Sequence, residues 1–164
     1  MYFLSNLIKK RGLDPFDANN PLIFGAGLLT GIFGSRLNVS GKSPESGYLG
    51  DSNVGGYFGA ELSATGYSHL VIFGKSKKPT YLYIENEKIY FKDASHLWGK
   101  TTWDTQKAIR EELKDEKIKI MSIGPAGENL VRFACIITGL KNAAGRTGLG
   151  ALMGSKKLLS LIHI

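Results

Sequence analysis

The sequence predicts an α+β domain that is rich in sheet, carries short helices and is internally duplicated. The class follows from strand-like apolar segments, which cluster along the chain and do not alternate strictly with helices. The duplication follows from a glycine-rich turn, a short helix and an apolar strand, which occur twice in this order. The 164 residues are enough for one domain with a substantial buried core.

The first half of the chain combines strand patterns with turns. Residues 1–20, the lead segment, are predicted to be a short helix or irregular structure that ends in the polar turn DPFDANN. Residues 43–53 have turn chemistry throughout, and residues 57–67 have the spacing of a helix that ends near a glycine. Strands, recognised by apolar runs or by alternation, are predicted over 22–27, 35–42 and 69–74.

The second half contains the clearest hairpin and the clearest helix. Apolar residues alternate on both sides of Asn86 and Glu87, which predicts a β-hairpin over residues 79–95. Residues 101–115 predict a helix, because a threonine at its start and an aspartate three residues later resemble a capping box. A short helix is predicted over 147–157. Further strands are predicted over 117–124, 131–139 and 158–164.

A shift of 91 positions relates the two halves of the chain. It places the segment SNVGGYFGAEL over the segment AAGRTGLGALM. The glycine-alanine pair at 59–60 then falls on the pair at 150–151, and Asn53 falls on Ala144. Few residues are identical, but the pattern indicates two half-domains that place similar glycine-rich turns at related positions.

The composition shows an excess of glycine and of positive charge. The chain has 21 glycines, roughly twice the usual share, and they lie in pairs and short spacings between apolar runs. The net charge of +7 favours anionic partners such as phosphates. The basic residues are mostly scattered and form no stripe with interleaved aromatic residues, which argues against a nucleic-acid-binding surface.

Cysteine content and hydropathy exclude several classes of protein. The single cysteine, Cys135, excludes internal disulfides and a cysteine-rich metal cluster held by this chain alone. It lies in the apolar run VRFACIITG, which predicts a buried structural thiol. No stretch approaches the ~20 apolar residues of a membrane span, and no signal peptide is recognised. We therefore expect a cytoplasmic protein.

The two glycine-rich turns are the candidate binding elements. Glycine permits positive φ and removes the Cβ that would hold a ligand away from the backbone. Arg36 precedes the first turn and Arg146 lies inside the second, and a guanidinium offers paired donors that match a phosphate. One hypothesis is a large, flat, phosphate-bearing cofactor held from two related sides. The alternative is a pair of tight β-turns without a ligand, since neither turn has a nucleotide-binding fingerprint.

Several ordered motifs resemble the N-terminal domain of the aldehyde ferredoxin oxidoreductases. The resemblance extends from about Leu22 to Leu158. The motifs that carry it are SRLNVSGKSPESGYLGDSNVGGYFGAEL, GYSHLVIFGKSKKPTYLYI, DASHLWGKTTWDT, SIGPAGENLVRFACI and AAGRTGLGALMGSKKL.

This resemblance implies a cofactor platform. Family members carry tungstopterin, in which two molybdopterin-type ligands share one tungsten, sometimes molybdenum, and a magnesium ion bridges the two pterin phosphates. By resemblance, Arg36 contacts the pterin, and the backbone carbonyls of Asn53 and Ala144 lie near the magnesium. The other positions that match pterin or phosphate contacts, or that leave room for the pterin, are Gly55, Gly56, Gly145 and Arg146.

The resemblance also implies a reaction. Family enzymes oxidise an aldehyde with water to a carboxylic acid and pass two electrons through a four-iron–four-sulfur cluster to ferredoxin. Further helical domains hold the cluster cysteines and the acid–base groups, and Cys135 matches none of these. We therefore expect no catalytic residue in residues 1–164, which would be the truncated N-terminal part of a longer enzyme, often a homodimer. The substrate and the choice between tungsten and molybdenum stay open.

Two other hypotheses come from different classes of protein. A non-catalytic pterin-binding module, or a truncated gene product, would share the two turns but would not be part of a larger catalytic subunit. A basic nucleic-acid-binding domain is supported by the net charge alone, and it predicts an affinity that falls steeply with salt.

Overall fold

A computed structural model describes residues 2–86 and 88–163 of the chain, which form a mixed α+β domain with two sheets and short helices. The helices are α1 (Tyr2–Leu7), α2 (Phe58–Ala64), α3 (Thr102–Leu113), α4 (Pro125–Glu128) and α5 (Leu149–Ser155). The first five strands are β1 (Leu22–Ala26), β2 (Leu37–Lys42), β3 (Leu49–Val54), β4 (His69–Ile72) and β5 (Thr80–Glu85). The others are β6 (Lys88–Asp93), β7 (Lys119–Ser122), β8 (Ile136–Thr138), β9 (Asn142–Ala144) and β10 (Leu158–His163).

The strands form two separate sheets. The first has four described strands in the order β3-β2-β1-β4, and all its pairs are antiparallel. The second has six described strands in the order β6-β5-β10-β7-β8-β9. In the second sheet β5 and β10 pair in parallel, and the other pairs are antiparallel.

The two sheets share one strand order over four strands. In the first sheet the four strands β1 to β4 lie in the order β3-β2-β1-β4. In the second sheet the four strands β7 to β10 lie in the corresponding order β9-β8-β7-β10. In both cases a seven-residue helix connects the last two strands in the chain, α2 before β4 and α5 before β10. The two helices begin at Phe58 and Leu149, which are 91 positions apart, as are their ends at Ala64 and Ser155.

The core lies where α2 and α5 meet strands from both sheets. α2 contacts β1 as well as β7 and β10, and α5 contacts β1 and β2 as well as β10. Every residue of α5 is buried, because glycine and alanine on this helix let neighbouring backbone approach closely. The buried apolar residues of the two sheets and of these helices form one continuous cluster. The turns that precede α2 and α5 are therefore fixed to a common core.

Most of the predicted elements are confirmed. The predicted strands 22–27, 35–42 and 69–74, the hairpin over 79–95 and the helices over 57–67 and 147–157 match described elements within a few residues. The predicted cap of α3 is also present, since Thr101 Oγ1 accepts a hydrogen bond from the Asp104 backbone N–H at 3.2 Å. Glu87, predicted in the hairpin turn, lies outside the described residues.

Two predictions about secondary structure were wrong, and two short elements were missed. Residues 49–54 form β3 instead of a turn, because Gly50, Ser52 and Val54 face inward and their small side chains allow close packing. The predicted strand over 131–139 is reduced to β8, since α4 and an irregular segment occupy the space before it. β9 and α4 were not predicted, because both are too short to show a period.

No helix among the described residues is long and apolar enough to cross a membrane.

Lys156 is a buried cation at the end of α5. Its side chain is 3% exposed, and Nζ donates to the carbonyls of Ala18 and Gly74, each at 3.1 Å. These bonds tie the lead segment and the loop after β4 to the core. Burial lowers the pKa of Lys156 from its ordinary 10.5 to about 8.

We expect Lys156 to make the free energy of unfolding rise with pH. Between pH 8 and 10.5 the unfolded chain binds a proton at this lysine that the folded chain has lost. Relative to Lys156→Met, the wild-type chain should therefore gain stability across this window, by up to about 3 kcal/mol. Urea unfolding of both proteins at several pH values measures the difference, and identical pH slopes would contradict a lowered pKa.

Candidate functional site

The two glycine-rich turns lie side by side at the edges of the two sheets. β3 lies at one edge of the first sheet and β9 lies at one edge of the second, and the two strands contact each other. The backbone N–H of Arg146 donates to Ser52 Oγ at 3.2 Å. A second link is the Ser43 hydroxyl, which donates to the carbonyl of Thr147 at 2.8 Å. These two hydrogen bonds thus join segments that lie more than ninety residues apart in the chain, and we call their meeting point the junction of the two turns.

The first side of the junction is formed by Arg36, Asn53 and Gly55. Asn38 pairs with Asn53 and Leu37 pairs with Val54, which is the last pair of the β2–β3 ladder. Arg36 and Gly55 therefore leave the ladder at the same end. The side chains of Arg36 and Asn53 are exposed, and the Thr30 hydroxyl donates to the Arg36 carbonyl at 3.1 Å.

The second side of the junction is formed by Ala144, Gly145 and Arg146. Ala144 is buried at the end of β9 and pairs with Ile136 in β8. Gly145 and Arg146 follow it and are exposed. A Cβ added at Gly145 would lie 3.6 Å from Cys135 Sγ, so Cys135 lies beside this turn. Cys135 is half-buried, so its thiol is less buried than predicted.

Asn142 connects the two sides at Gly55 and Gly56. A Cβ on Gly55 would lie 3.7 Å from Asn142 Oδ1, and a Cβ on Gly56 would lie 3.2 Å from Asn142 Nδ2. Gly56 also has φ +100, where a side chain is strained. Thr138 lies against Gly56 as well, at 3.3 Å from the same added Cβ. The sequence showed no signal for Asn142 or Thr138, since their contact with Gly56 exists only after the two halves have packed together.

Each of the two turns carries one arginine, Arg36 or Arg146. The ion pairs among the described residues are His96–Glu112 and Lys107–Glu111, so neither Arg36 nor Arg146 takes part in one. Their guanidinium groups are therefore available to an anion.

The site offers backbone oxygens to a metal. The described residues contain no group of three or more His, Cys, Asp and Glu side chains that could hold a metal ion. A cation here would have to be bound by carbonyl oxygens, such as those of Asn53 and Ala144, together with oxygens of the ligand. Hard oxygen ligands of this kind suit magnesium.

The surface around the two turns is open. A small cleft of about 80 Å³ is lined by Gly56, Thr138 and Asn142 together with Arg110 and Lys119. A larger cavity of about 480 Å³ lies between α1 and residues 47–49 and includes none of the predicted site residues. The structure thus brings the predicted residues together on the sheet edges, beside the small cleft.

Comparisons with known proteins agree on one family. The family model for the aldehyde ferredoxin oxidoreductase N-terminal domain matches residues 1–163. The tungsten-containing aldehyde ferredoxin oxidoreductase of Pyrococcus furiosus is 52% identical over 152 residues, which are 91% of this chain and 25% of that protein. The corresponding protein of Thermococcus kodakarensis is 50% identical over 151 residues, 90% of this chain and 25% of that protein.

The chain is also similar to proteins that are named for other activities. A protein of Pyrococcus furiosus named as the WOR-like subunit of an aliphatic sulfonate oxidoreductase is 39% identical over 92% of this chain and 26% of its own length. Among solved structures, the active site complex BamBC of benzoyl coenzyme A reductase, with 1,5-dienoyl-CoA, matches with a TM-score of 0.94. It is 38% identical and is matched over 99% of this chain and 25% of that chain. The chain spans about a quarter of the length of these relatives.

Proposed function

Because the chain belongs to the family of aldehyde ferredoxin oxidoreductase N-terminal domains, we propose that it is the cofactor-binding domain of a larger oxidoreductase. The observation that carries the proposal is the junction of the two repeat-related turns, tied together by the Arg146–Ser52 hydrogen bond. The cofactor proposed for this junction is a tungsten bis-pterin whose two phosphates share a magnesium ion.

The residues present fit such a group. An added Cβ at Gly55 or Gly145 would meet only ordinary contacts, at 3.7 Å and 3.6 Å, so packing alone does not explain why these positions lack a side chain. A flat ligand that approaches the backbone would explain it. Arg36 and Arg146 would neutralise phosphates, and Gly56 would leave room for the pterin. The carbonyls of Asn53 and Ala144 would bind the magnesium.

The chain's part in the reaction is to bind and orient. When bound, the cofactor supplies the redox chemistry, and the protein supplies position and electrostatics. We propose that the complete enzyme oxidises an aldehyde to a carboxylic acid with ferredoxin as the electron acceptor. The four-iron–four-sulfur cluster and the substrate pocket would then be built by parts of the enzyme outside the described residues, which contain one cysteine.

We expect Arg36→Ala and Arg146→Ala each to weaken binding of a molybdopterin-type ligand about tenfold, because each removes a charged donor to phosphate. Titration of the folded chain, followed by pterin fluorescence, measures this. Arg11→Ala is the matched control, since Arg11 is an exposed arginine on the lead segment and belongs to neither turn. Equal losses in all three variants would show a general effect of net charge and would overturn the proposed site.

A further inference from the structure

The cavity of about 480 Å³ between α1 and residues 47–49 has an apolar wall. Leu4 in α1 and Ile8 just after it line one side, and Leu49 at the start of β3 lines the other. Leu4 is 4% exposed, so its side chain belongs to the packed interior. Tyr48 also lines the cavity, and it is 80% exposed. The volume lies within the range of pockets that take small organic ligands, roughly 300–1,000 Å³.

Three lysines line the same cavity, and they come from two segments of the chain. Lys9 and Lys10 follow α1 and are exposed, and Lys42 ends β2 and is half-buried. Among the described residues, no aspartate or glutamate lines the cavity. None of the three lysines takes part in the ion pairs found in the described part of the chain. Their positive charge is therefore available to an anion.

Lys42 is held in a fixed position beside the apolar wall. Its Nζ donates to the carbonyl of Leu13 at 2.5 Å, which uses one of the three N–H donors of the ammonium. Its backbone is also held, since the buried side chain of Asn20 accepts from the Lys42 N–H and donates to the Lys42 carbonyl, each at 3.0 Å. Lys42 pairs with Leu49 in the β2–β3 ladder, so their side chains lie on the same face of the sheet. One side of the cavity thus joins a preorganised cation to an apolar surface.

We propose that this cavity binds a free carboxylate with an apolar body, such as the anion of a medium-chain fatty acid. The carboxylate accepts a charge-assisted hydrogen bond from the Lys42 ammonium and is attracted by the two exposed lysines. The apolar body lies against Leu4, Ile8 and Leu49, where it removes apolar surface from water. This inference does not depend on the cofactor or on the proposed function.

The shape of the site favours a free ligand over an anionic membrane surface. Binding in a membrane interface needs an apolar face that projects towards the lipid. Leu4 is instead 4% exposed, and the aliphatic residues of the wall line a cavity. The ligand therefore enters the molecule, and lipid vesicles form a separate arm of the test.

The test titrates the full chain with dansyl-labelled undecanoic acid, whose fluorescence rises in an apolar site. We expect saturable binding with sub-millimolar affinity. The double variant Lys9→Ala/Lys10→Ala changes exposed residues, so it should keep its circular dichroism spectrum and bind the probe about fivefold more weakly. Lys42→Met should weaken binding roughly tenfold, because it removes the cation that is held in place. Lys100→Ala is the matched control, since Lys100 is an exposed lysine that does not line the cavity, and it should change the affinity less than about twofold.

Several results would overturn the proposal. A folded chain that does not bind the probe would do so, and so would an uncharged alcohol of the same chain length and label that binds equally well. Equal losses in Lys100→Ala and in the double variant would show an effect of net charge alone. A loss in Arg36→Ala as large as in the double variant would place the probe at the junction of the two turns. Binding to phosphatidylglycerol vesicles without binding of the free probe would show a membrane surface instead of a ligand cavity.

Discussion

Replacing Gly148 with alanine is expected to destabilise the domain by about 4 kcal/mol or more and to lower its Tm by roughly 10 °C. Gly148 precedes α5 with φ +69, and a Cβ there would lie 1.7 Å from the carbonyl oxygen of Arg132. Neither partner can move aside easily, because the added atom meets backbone and every residue of α5 is buried. Thermal unfolding followed by circular dichroism measures the loss.

Gly47→Ala is the matched control for this substitution. Gly47 has a similar φ of +74, but a Cβ there would have no atom of the described part of the chain within 4 Å. It should cost only the strain of the left-handed conformation, about 1 kcal/mol. Equal losses in the two variants would show that backbone strain alone, and not the close approach of Arg132, fixes glycine at position 148.

Replacing Gly55 with alanine is expected to leave the fold unchanged but to weaken binding of a molybdopterin-type ligand at least about tenfold. The free energy of unfolding should change by less than about 0.5 kcal/mol. Among the described residues an added Cβ would contact only Asn142 Oδ1, at 3.7 Å, and Gly55 does not have a positive φ. Any loss of affinity would then come from the ligand and not from the packing. Gly145→Ala, whose nearest neighbour would be Cys135 Sγ at 3.6 Å, should behave in the same way.

The control for Gly55→Ala is a variant with the opposite behaviour. Gly12 has φ +72, it belongs to neither turn, and an added Cβ there would meet no described atom within 4 Å. Gly12→Ala should therefore cost about 1 kcal/mol of stability and leave the affinity for the ligand unchanged. Unchanged affinity in both Gly55→Ala and Gly145→Ala would favour the interpretation of the glycine pairs as β-turns without a ligand.

Much of the fold could be predicted because its elements have local signals. The 91-residue shift aligned α2 with α5, and the strand order of the two sheets repeats in the structure. β3 could not be predicted from its residues, because LGDSNV has the composition of a turn. It is a strand because β2 pairs along its whole length and because Gly50 admits the Thr147 side chain, which would lie 3.0 Å from an added Cβ.

The candidate site was predictable by its turns but not by its contacts. Arg36, Asn53 and Arg146 could be named from the repeat and from the resemblance. That the two turns touch, through Ser52 and Asn142, depends on how the sheet edges pack, and neither residue carries a sequence pattern that reports this. The roles proposed for the seven predicted residues stay predictions until a ligand is bound.

The most direct test of the central claim is whether this chain binds a pterin phosphate through magnesium. The folded chain, produced in cells that make tungstopterin, would be purified and assayed for bound pterin and magnesium, before and after a chelator removes the metal. We expect bound pterin with sub-millimolar affinity that falls when magnesium is removed, because carbonyl oxygens and phosphates would share one cation. A folded chain that carries no pterin, or that binds it equally well without magnesium, would contradict the account.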